Sequence, residues 1–67
     1  MNALYGIREG QVYVPADGSN NELTVVDTET YAFCGDVVVY DKQQDATRRI
    51  DAFKLARVRY ELKERNT

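Results

Sequence analysis

The chain contains no histidine and no tryptophan, and only one cysteine and one proline occur among its 67 residues. Without histidine, the usual zinc sites and the commonest base for activating a catalytic serine or cysteine are missing. The single cysteine, Cys34, excludes a disulfide within the chain. We therefore expect a protein that is not an enzyme and that holds no metal.

Phosphate-binding and membrane-spanning sequence patterns are also missing. The glycines are scattered singly, which leaves no Gly-rich loop to hold a nucleotide, so we expect no cofactor. No apolar run reaches the roughly 18 residues that a membrane span needs. The first residues lack the basic and apolar regions of a secretory signal. We expect a cytoplasmic protein that does not bind membranes.

The short chain limits the size of the core. A domain of this length buries only about 60% of the surface that its unfolded form exposes, so its net stability is a few kcal/mol. We expect one small domain over residues 1–67, with a frayed tail at about 63–67. Because neither a disulfide nor a metal is available to stabilise it, pairing with a second copy is the remaining means, and we expect a homodimer.

Charge is divided unevenly along the sequence. Residues 1–41 hold seven acidic residues and one basic residue, whereas residues 42–67 hold eight basic and four acidic ones. Asymmetry of this kind concerns partners or subunit contacts rather than the fold. It indicates a protein that works by binding.

Alternating apolar and polar residues predict short strands in the first two thirds of the chain. Residues 11–14 fit a strand that is followed by a loop over about 15–21. The β-branched and aromatic run over 23–33 predicts one long bent strand or two short ones. A tight turn at 34–36 then leads into a strand at 37–40, whose consecutive valines favour a strand covered on both faces.

The basic segment after residue 45 allows two interpretations. From residue 56 onward, four apolar positions alternate with four charged ones, which predicts a strand at about 56–62. Its inward face would carry Val58, Tyr60 and Leu62. The alternative is one helix over about 45–62, because most residues of this segment favour helix and a dimer partner would bury its second apolar stripe.

Two smaller features precede the predicted last strand. Asp51 is placed to cap a short helical turn through Phe53 and Leu55. Residues 48–50 are placed to end the strand before that turn. Four to five short antiparallel strands with one helical turn predict a mainly β fold, a small SH3-like curled barrel. The alternative fold is α+β, with a β-hairpin sheet and a C-terminal helix.

Three segments resemble landmarks of signalling SH3 domains: Ala3-Leu4-Tyr5, Glu22-Leu23-Thr24 and Gly35-Asp36-Val37. The second and third of these are spaced further apart than in those domains. The paired tryptophans and the proline-tyrosine element of the SH3 peptide groove are absent. The resemblance therefore does not imply binding of proline-rich peptides.

The chain also resembles the short uncharacterised proteins of lambda-like phages and prophages. The resemblance covers most of the chain and is carried by Gly10-Gln11-Val12-Tyr13, a turn at Asp17-Gly18, a valine-rich middle strand and a basic finish over 48–53. It implies a phage or prophage accessory protein. We expect this protein to modulate a host or phage protein by binding it.

Cationic and aromatic side chains are the candidate contacts with a partner protein. The predicted partner-binding residues are Arg48, Arg49, Arg57, Arg59, Tyr13 and Tyr31. The four arginines would form a cationic strip on and before the last strand, which raises the alternative of a small nucleic-acid-binding regulator. The net charge of −2 opposes that alternative. The acidic strands would instead neutralise the strip within the fold or across a dimer.

Overall fold

The structure is a computed structural model that describes residues 4–63. Five antiparallel strands form one sheet in the order β4-β3-β2-β1-β5. The strands are β1 (Val12–Pro15), β2 (Leu23–Asp27), β3 (Asp36–Asp41), β4 (Ala46–Asp51) and β5 (Tyr60–Leu62). Short 3-10 turns lie at Leu4–Gly6 and Ala32–Cys34, and a π-helical turn lies at Lys54–Val58. The prediction of a mainly β domain with a helical turn before the last strand is confirmed.

One face of the sheet supplies most of the core. The buried apolar residues are Ile7, Tyr13, Leu23, Val25, Val37, Val39, Ala52 and Leu55. The last two come from the helical segment, residues 52–58, which contacts both edge strands, β4 and β5. A chain of this size thus closes its core by laying one helical turn over the open side of the sheet.

The valine-rich strand is covered on one face only. Val37 and Val39 are buried, whereas Val38 between them is half-buried on the opposite face. Residues 4–63 alone therefore do not cover both faces of β3 fully, and cover by a second copy stays a prediction. Alternation along the strand explains the pattern, because successive side chains point to opposite sides of the sheet.

The run over residues 23–33 forms one strand followed by a turn. β2 ends at Asp27, after a bulge that shifts its register with β3. Asp27 then accepts hydrogen bonds from the backbone amides of Glu29 and Thr30, which bends the chain. The expectation of strand continuing to residue 33 is wrong because a carboxylate that bonds nearby amides favours a turn over a ladder.

The C-terminal prediction is correct at the end and wrong at its start. β5 covers only Tyr60–Leu62, and residues 56–58, expected to be strand, belong to the π-helical turn. Val58 is 53% exposed instead of facing inward. Ala52 and Leu55, rather than Val58, are the side chains of this segment that are fully buried in the core.

Of the other predictions for the segment after residue 45, two are confirmed and two are wrong. Tyr60 packs against the core as expected, whereas Leu62 is 49% exposed at the edge of the sheet. The alternative of one helix over 45–62 is wrong, because residues 46–51 form strand β4. Asp51 caps the helical segment as predicted, and its Oδ1 accepts the amides of Phe53 and Lys54 at 2.8 and 3.2 Å.

The C-terminal end of the described region is tied to the sheet. The Lys63 amide donates to the Val12 carbonyl at 2.8 Å, and its ammonium lies 2.7 Å from a carboxylate oxygen of Glu22. The bond from Lys63 lowers the pKa of the Glu22 carboxyl. Residues 64–67 of the predicted frayed tail, like Ala3 of the SH3-like opening, lie outside the described residues.

Candidate protein-interaction surface

The connection between β2 and β3 is a compact loop built on hydrogen bonds. The hydroxyl of Thr30 donates to Asp27 Oδ2 at 2.5 Å, and this bond is the main reason why the pKa of the Asp27 carboxyl is lowered. Further along, the Tyr31 carbonyl accepts the amides of Cys34 and Asp36 at 2.9 and 3.1 Å. These bonds order the loop without any apolar core of its own.

Gly35 ends the 3-10 turn in this loop. It takes a left-handed conformation with φ of 82°, and its amide donates to the Ala32 carbonyl. Glycine adopts this conformation at little cost, which fits the tight turn predicted at 34–36. The turn it ends presents Phe33 and Cys34 to solvent.

Phe33 is the most exposed large apolar residue in the described part of the chain. Its relative exposure is 100%, so its ring has no packing partner within residues 4–63. Single exposed apolar side chains are common on protein surfaces, and complete exposure leaves the whole phenyl ring accessible to another molecule. Phe33 is thus available as an anchor for another molecule.

An arginine and a tyrosine stack beside this turn. The guanidinium carbon of Arg49 lies 4.1 Å from the centroid of the Tyr31 ring. The same guanidinium donates through Nη2 to Asp36 Oδ2 at 2.9 Å, and this bond raises the pKa of Arg49. We call Tyr31, Phe33, Asp36 and Arg49 the aromatic-arginine cluster. It brings together two of the predicted partner-binding residues, Tyr31 and Arg49.

Arg48 reaches a different carboxylate on the other side of its strand. Its Nε lies 3.3 Å from Asp41 Oδ2, and Asp41 is only 2% exposed. The other oxygen of Asp41 accepts the amides of Gln43 and Gln44 in the turn between β3 and β4. Arg48 therefore stabilises the hairpin of β3 and β4 and does not belong to a free cationic strip.

The arginines near the end of the chain have no such partner. Arg57 and Arg59 are exposed, and no carboxylate between residues 4 and 63 lies within salt-bridge distance of either. The predicted strip of four arginines is thus divided. Two are neutralised by the acidic strand β3, and two remain open to solvent on and after the π-helical turn.

Tyr13 was expected to be exposed and is instead part of the core. It is 4% exposed, and burial raises the pKa of its phenol. Its hydroxyl donates to Gln11 Oε1 at 3.1 Å, and the Arg8 amide donates to the same oxygen. The expectation failed because the amide of Gln11, two positions away on the same strand face, satisfies the buried hydroxyl.

Four aromatic or acidic residues at the surface were not predicted from the sequence to make contacts. Phe33 was placed inside a strand, and Phe53 and Tyr5 were given no contact role. The available signal for Phe33 was its position just before Cys34-Gly35, since an apolar residue at a turn lacks an alternating partner. For Asp36 the signal was its position at the start of strand β3, which pairs with the basic strand β4.

Other site types were sought in the described part of the chain. Residues 4–63 contain no group of three or more cysteine or acidic side chains placed to hold a metal ion. No helix within the same residues is both long and apolar enough to cross a membrane. Comparison of the chain with protein-family models, with curated proteins and with solved structures gave no match.

Proposed function

We propose that this chain is a non-enzymatic protein-interaction module, of the accessory kind with which phages and prophages modulate a host or phage protein. The observation that carries the proposal is the complete exposure of Phe33 beside the stacked Tyr31 and Arg49. Aromatic and arginine side chains dominate the binding energy of protein interfaces. The phage part of the proposal is supported by the sequence resemblance alone.

The aromatic-arginine cluster has the chemistry of an interface anchor. Burying a phenylalanine side chain in a partner's pocket contributes about 1.5–3 kcal/mol. Arg49 uses one donor on Asp36 and retains others for acceptors on the partner. Because Tyr31 and Asp36 already hold the guanidinium in place, less side-chain entropy is lost when it binds.

The experiment is affinity capture from a nuclease-treated bacterial lysate, followed by calorimetric titration of the recovered protein with the purified chain. Phe33→Ser should weaken this binding by about tenfold or more, because a buried aromatic anchor contributes well over 1.4 kcal/mol. Val26→Ser is the matched control, since Val26 is also apolar and 43% exposed. Equal binding of wild type and Phe33→Ser would contradict the proposal.

Nucleic-acid binding is the alternative that the arginines suggested. Arg48 and Arg49 are already paired with Asp41 and Asp36, so fewer cations are available to neutralise phosphates. We expect affinity for random DNA or RNA no tighter than about 10⁻⁴–10⁻⁶ M at physiological salt. Submicromolar affinity in an anisotropy titration, lost in Arg57→Glu with Arg59→Glu, would favour the regulator instead.

Self-association stays a prediction alongside this function. A homodimer would pair exposed cations of one copy with exposed carboxylates of another, and such an interface weakens in salt. Sedimentation velocity at micromolar concentration tests it. A single monomeric species at both low and high ionic strength would contradict it.

A further inference from the structure

The helical segment over residues 52–58 has one side buried in the core and one side exposed to solvent. Ala52 and Leu55 are completely buried. The outer side carries Phe53, Lys54, Arg57 and Val58, all of them exposed. Asp51 fixes the start of the segment through its cap, and the Arg59 amide fixes its end by donating to the Lys54 carbonyl at 3.0 Å. The exposed side chains therefore stand on an ordered support.

An aromatic pair adds apolar area to this outer side. The rings of Tyr5 and Phe53 meet edge to face, with centroids 5.6 Å apart, while each remains about half exposed. Val58 is 53% exposed on the same segment. We call Tyr5, Phe53, Lys54, Arg57, Val58 and Arg59 the cationic face.

Within residues 4–63, the charges of the cationic face have no carboxylate partner. Lys54, Arg57 and Arg59 have no carboxylate within 4 Å among residues 4–63, whereas Arg48, Arg49 and Lys63 each have one. Asp51, the acidic residue that precedes the segment, uses Oδ1 on two backbone amides. Asp17 lines the same shallow groove as Val58 and Arg59, but it accepts the Ser19 amide and forms no ion pair.

We propose that the cationic face is a second contact surface, separate from the aromatic-arginine cluster, and that it binds an acidic segment of a partner protein carrying both carboxylate and apolar side chains. Three cations complement the carboxylates. The Tyr5, Phe53 and Val58 side chains complement the apolar residues of the segment.

The composition of the face favours a peptide over other polyanions. Val58 adds aliphatic surface, which suits the apolar side chains of a peptide, whereas the half-exposed rings of Tyr5 and Phe53 would suit a peptide or a base. In a two-fold dimer that placed this face at its axis, Lys54, Arg57 and Arg59 of one copy would meet the same cations of the other, which is repulsive. A short acidic segment carries few charges, so the net charge of −2 opposes its approach less than it opposes a nucleic acid.

The test uses a fluorescein-labelled peptide of alternating Glu and Leu residues, titrated by anisotropy with the full chain. Two probes of the same length accompany it, a peptide of alternating Lys and Leu and a single-stranded DNA. Binding of the acidic peptide should weaken by about tenfold or more in Arg57→Glu with Arg59→Glu, because a reversed charge repels the ligand. Raising the salt from about 50 to 200 mM should weaken binding by the wild type as well.

A matched variant separates local from global charge. Arg8→Glu with Lys42→Glu makes the same change in net charge at exposed positions outside the face, and its affinity for the acidic peptide should stay within about threefold of wild type. Phe53→Ser should weaken the binding of the peptide, whereas Phe33→Ser should not. The last result keeps this proposal distinguishable from the proposed function.

Three outcomes would overturn the proposal. They are equal binding of the acidic and basic peptides, an equal loss of affinity in both double variants, and tighter binding of the DNA than of the acidic peptide. Circular dichroism and the thermal midpoint of each variant establish that it is folded before its affinity is compared.

Discussion

Arg48 and Arg49 on β4 differ from Arg57 and Arg59 on and after the helical segment in what lies next to them. β4 pairs with β3, whose first and sixth residues are Asp36 and Asp41. Neighbouring residues of a strand point to opposite faces, so Arg49 meets Asp36 on the outer face and Arg48 meets Asp41 on the core side. Both contacts are diagonal neighbours across the strand pair.

The helical segment has no acidic neighbour of this kind. It lies over the open side of the sheet and contacts β4 and β5 through its buried side, so its outer side is directed to solvent. The comparison teaches that strand pairing, rather than charge content, decides which arginines are neutralised. Arginines of the same basic region therefore have different surroundings: Arg48 and Arg49 pair with carboxylates of the hairpin, and Arg57 and Arg59 are open to solvent.

The largest expected loss of stability comes from disrupting the buried side of the helical segment. Leu55→Asp should unfold the domain, because an unpaired charge would enter a core that has only a few kcal/mol in reserve. Val58→Asp, on the same segment but 53% exposed, should change the free energy of unfolding by about 0.5 kcal/mol or less. Urea denaturation measures both. Similar losses would contradict the assignment of inner and outer sides.

A smaller loss is expected when the carboxylate beneath Arg48 is removed. Asp41→Ala deprives Arg48 and two turn amides of their acceptor, which should cost about 1–3 kcal/mol. Glu61→Ala, at an exposed residue of β5, is the control and should cost almost nothing. An Asp41→Ala variant as stable as the control would mean that the hairpin does not depend on this contact.

Removing the side chain of Arg49 should destabilise the fold slightly more than removing that of Arg57. Arg49→Ala removes a partly exposed ion pair and a cation–π contact and should lower the denaturation midpoint slightly, whereas Arg57→Ala should leave the midpoint unchanged. High salt should reduce the difference between them. Chemical denaturation at low and high ionic strength checks this. Equal costs would remove the distinction between the two pairs.

Acid should destabilise the fold through turn and sheet carboxylates. Folding lowers the pKa of Asp27 mainly through the Thr30 hydroxyl, that of Glu22 through Lys63, and that of Asp17 through the Ser19 amide. A lowered pKa means that the folded chain binds fewer protons, so this stability is present above the ordinary carboxyl range, about pH 4, and is lost as the pH falls through the folded pKa values.

The matched test of this pH dependence is Asp27→Asn. Its free energy of unfolding should fall less steeply between about pH 5 and pH 2 than that of wild type, because one shifted carboxyl has been removed. Parallel pH profiles would show that the turn after β2 does not contribute. A profile in which stability rises toward acid would contradict the sign of all three shifts.

The mainly β fold was predictable because alternation and turn residues are local signals. The strand at 37–40, the positive φ of Gly35 and the capping role of Asp51 follow from side-chain periodicity and backbone sterics. The strand at 56–62 was predicted too early in the chain. Alternating charges fit either a strand or the outer side of a helical turn, and only the burial of Leu55 decides between them.

The candidate surfaces were less predictable because they depend on tertiary contacts. Arg49 and Tyr31 are 18 positions apart and meet only once β3 and β4 pair. The exposure of Phe33 arises because no element within residues 4–63 folds over its turn. The sequence predicted that acidic strands would neutralise the basic residues. That only Arg48 and Arg49 of the four arginines would be paired could not be predicted without the register of β3 with β4.

Side-chain NMR of the arginines tests the central claim most directly. Relaxation of the ¹⁵Nε nuclei at moderate salt reports the order of each guanidinium separately. We predict ordered side chains for Arg48 and Arg49, with a slowly exchanging Nε proton on Arg48, whose Nε donates to Asp41, and mobile side chains with rapidly exchanging Nε protons for Arg57 and Arg59. Four arginines of equal mobility would contradict the division into neutralised and open pairs.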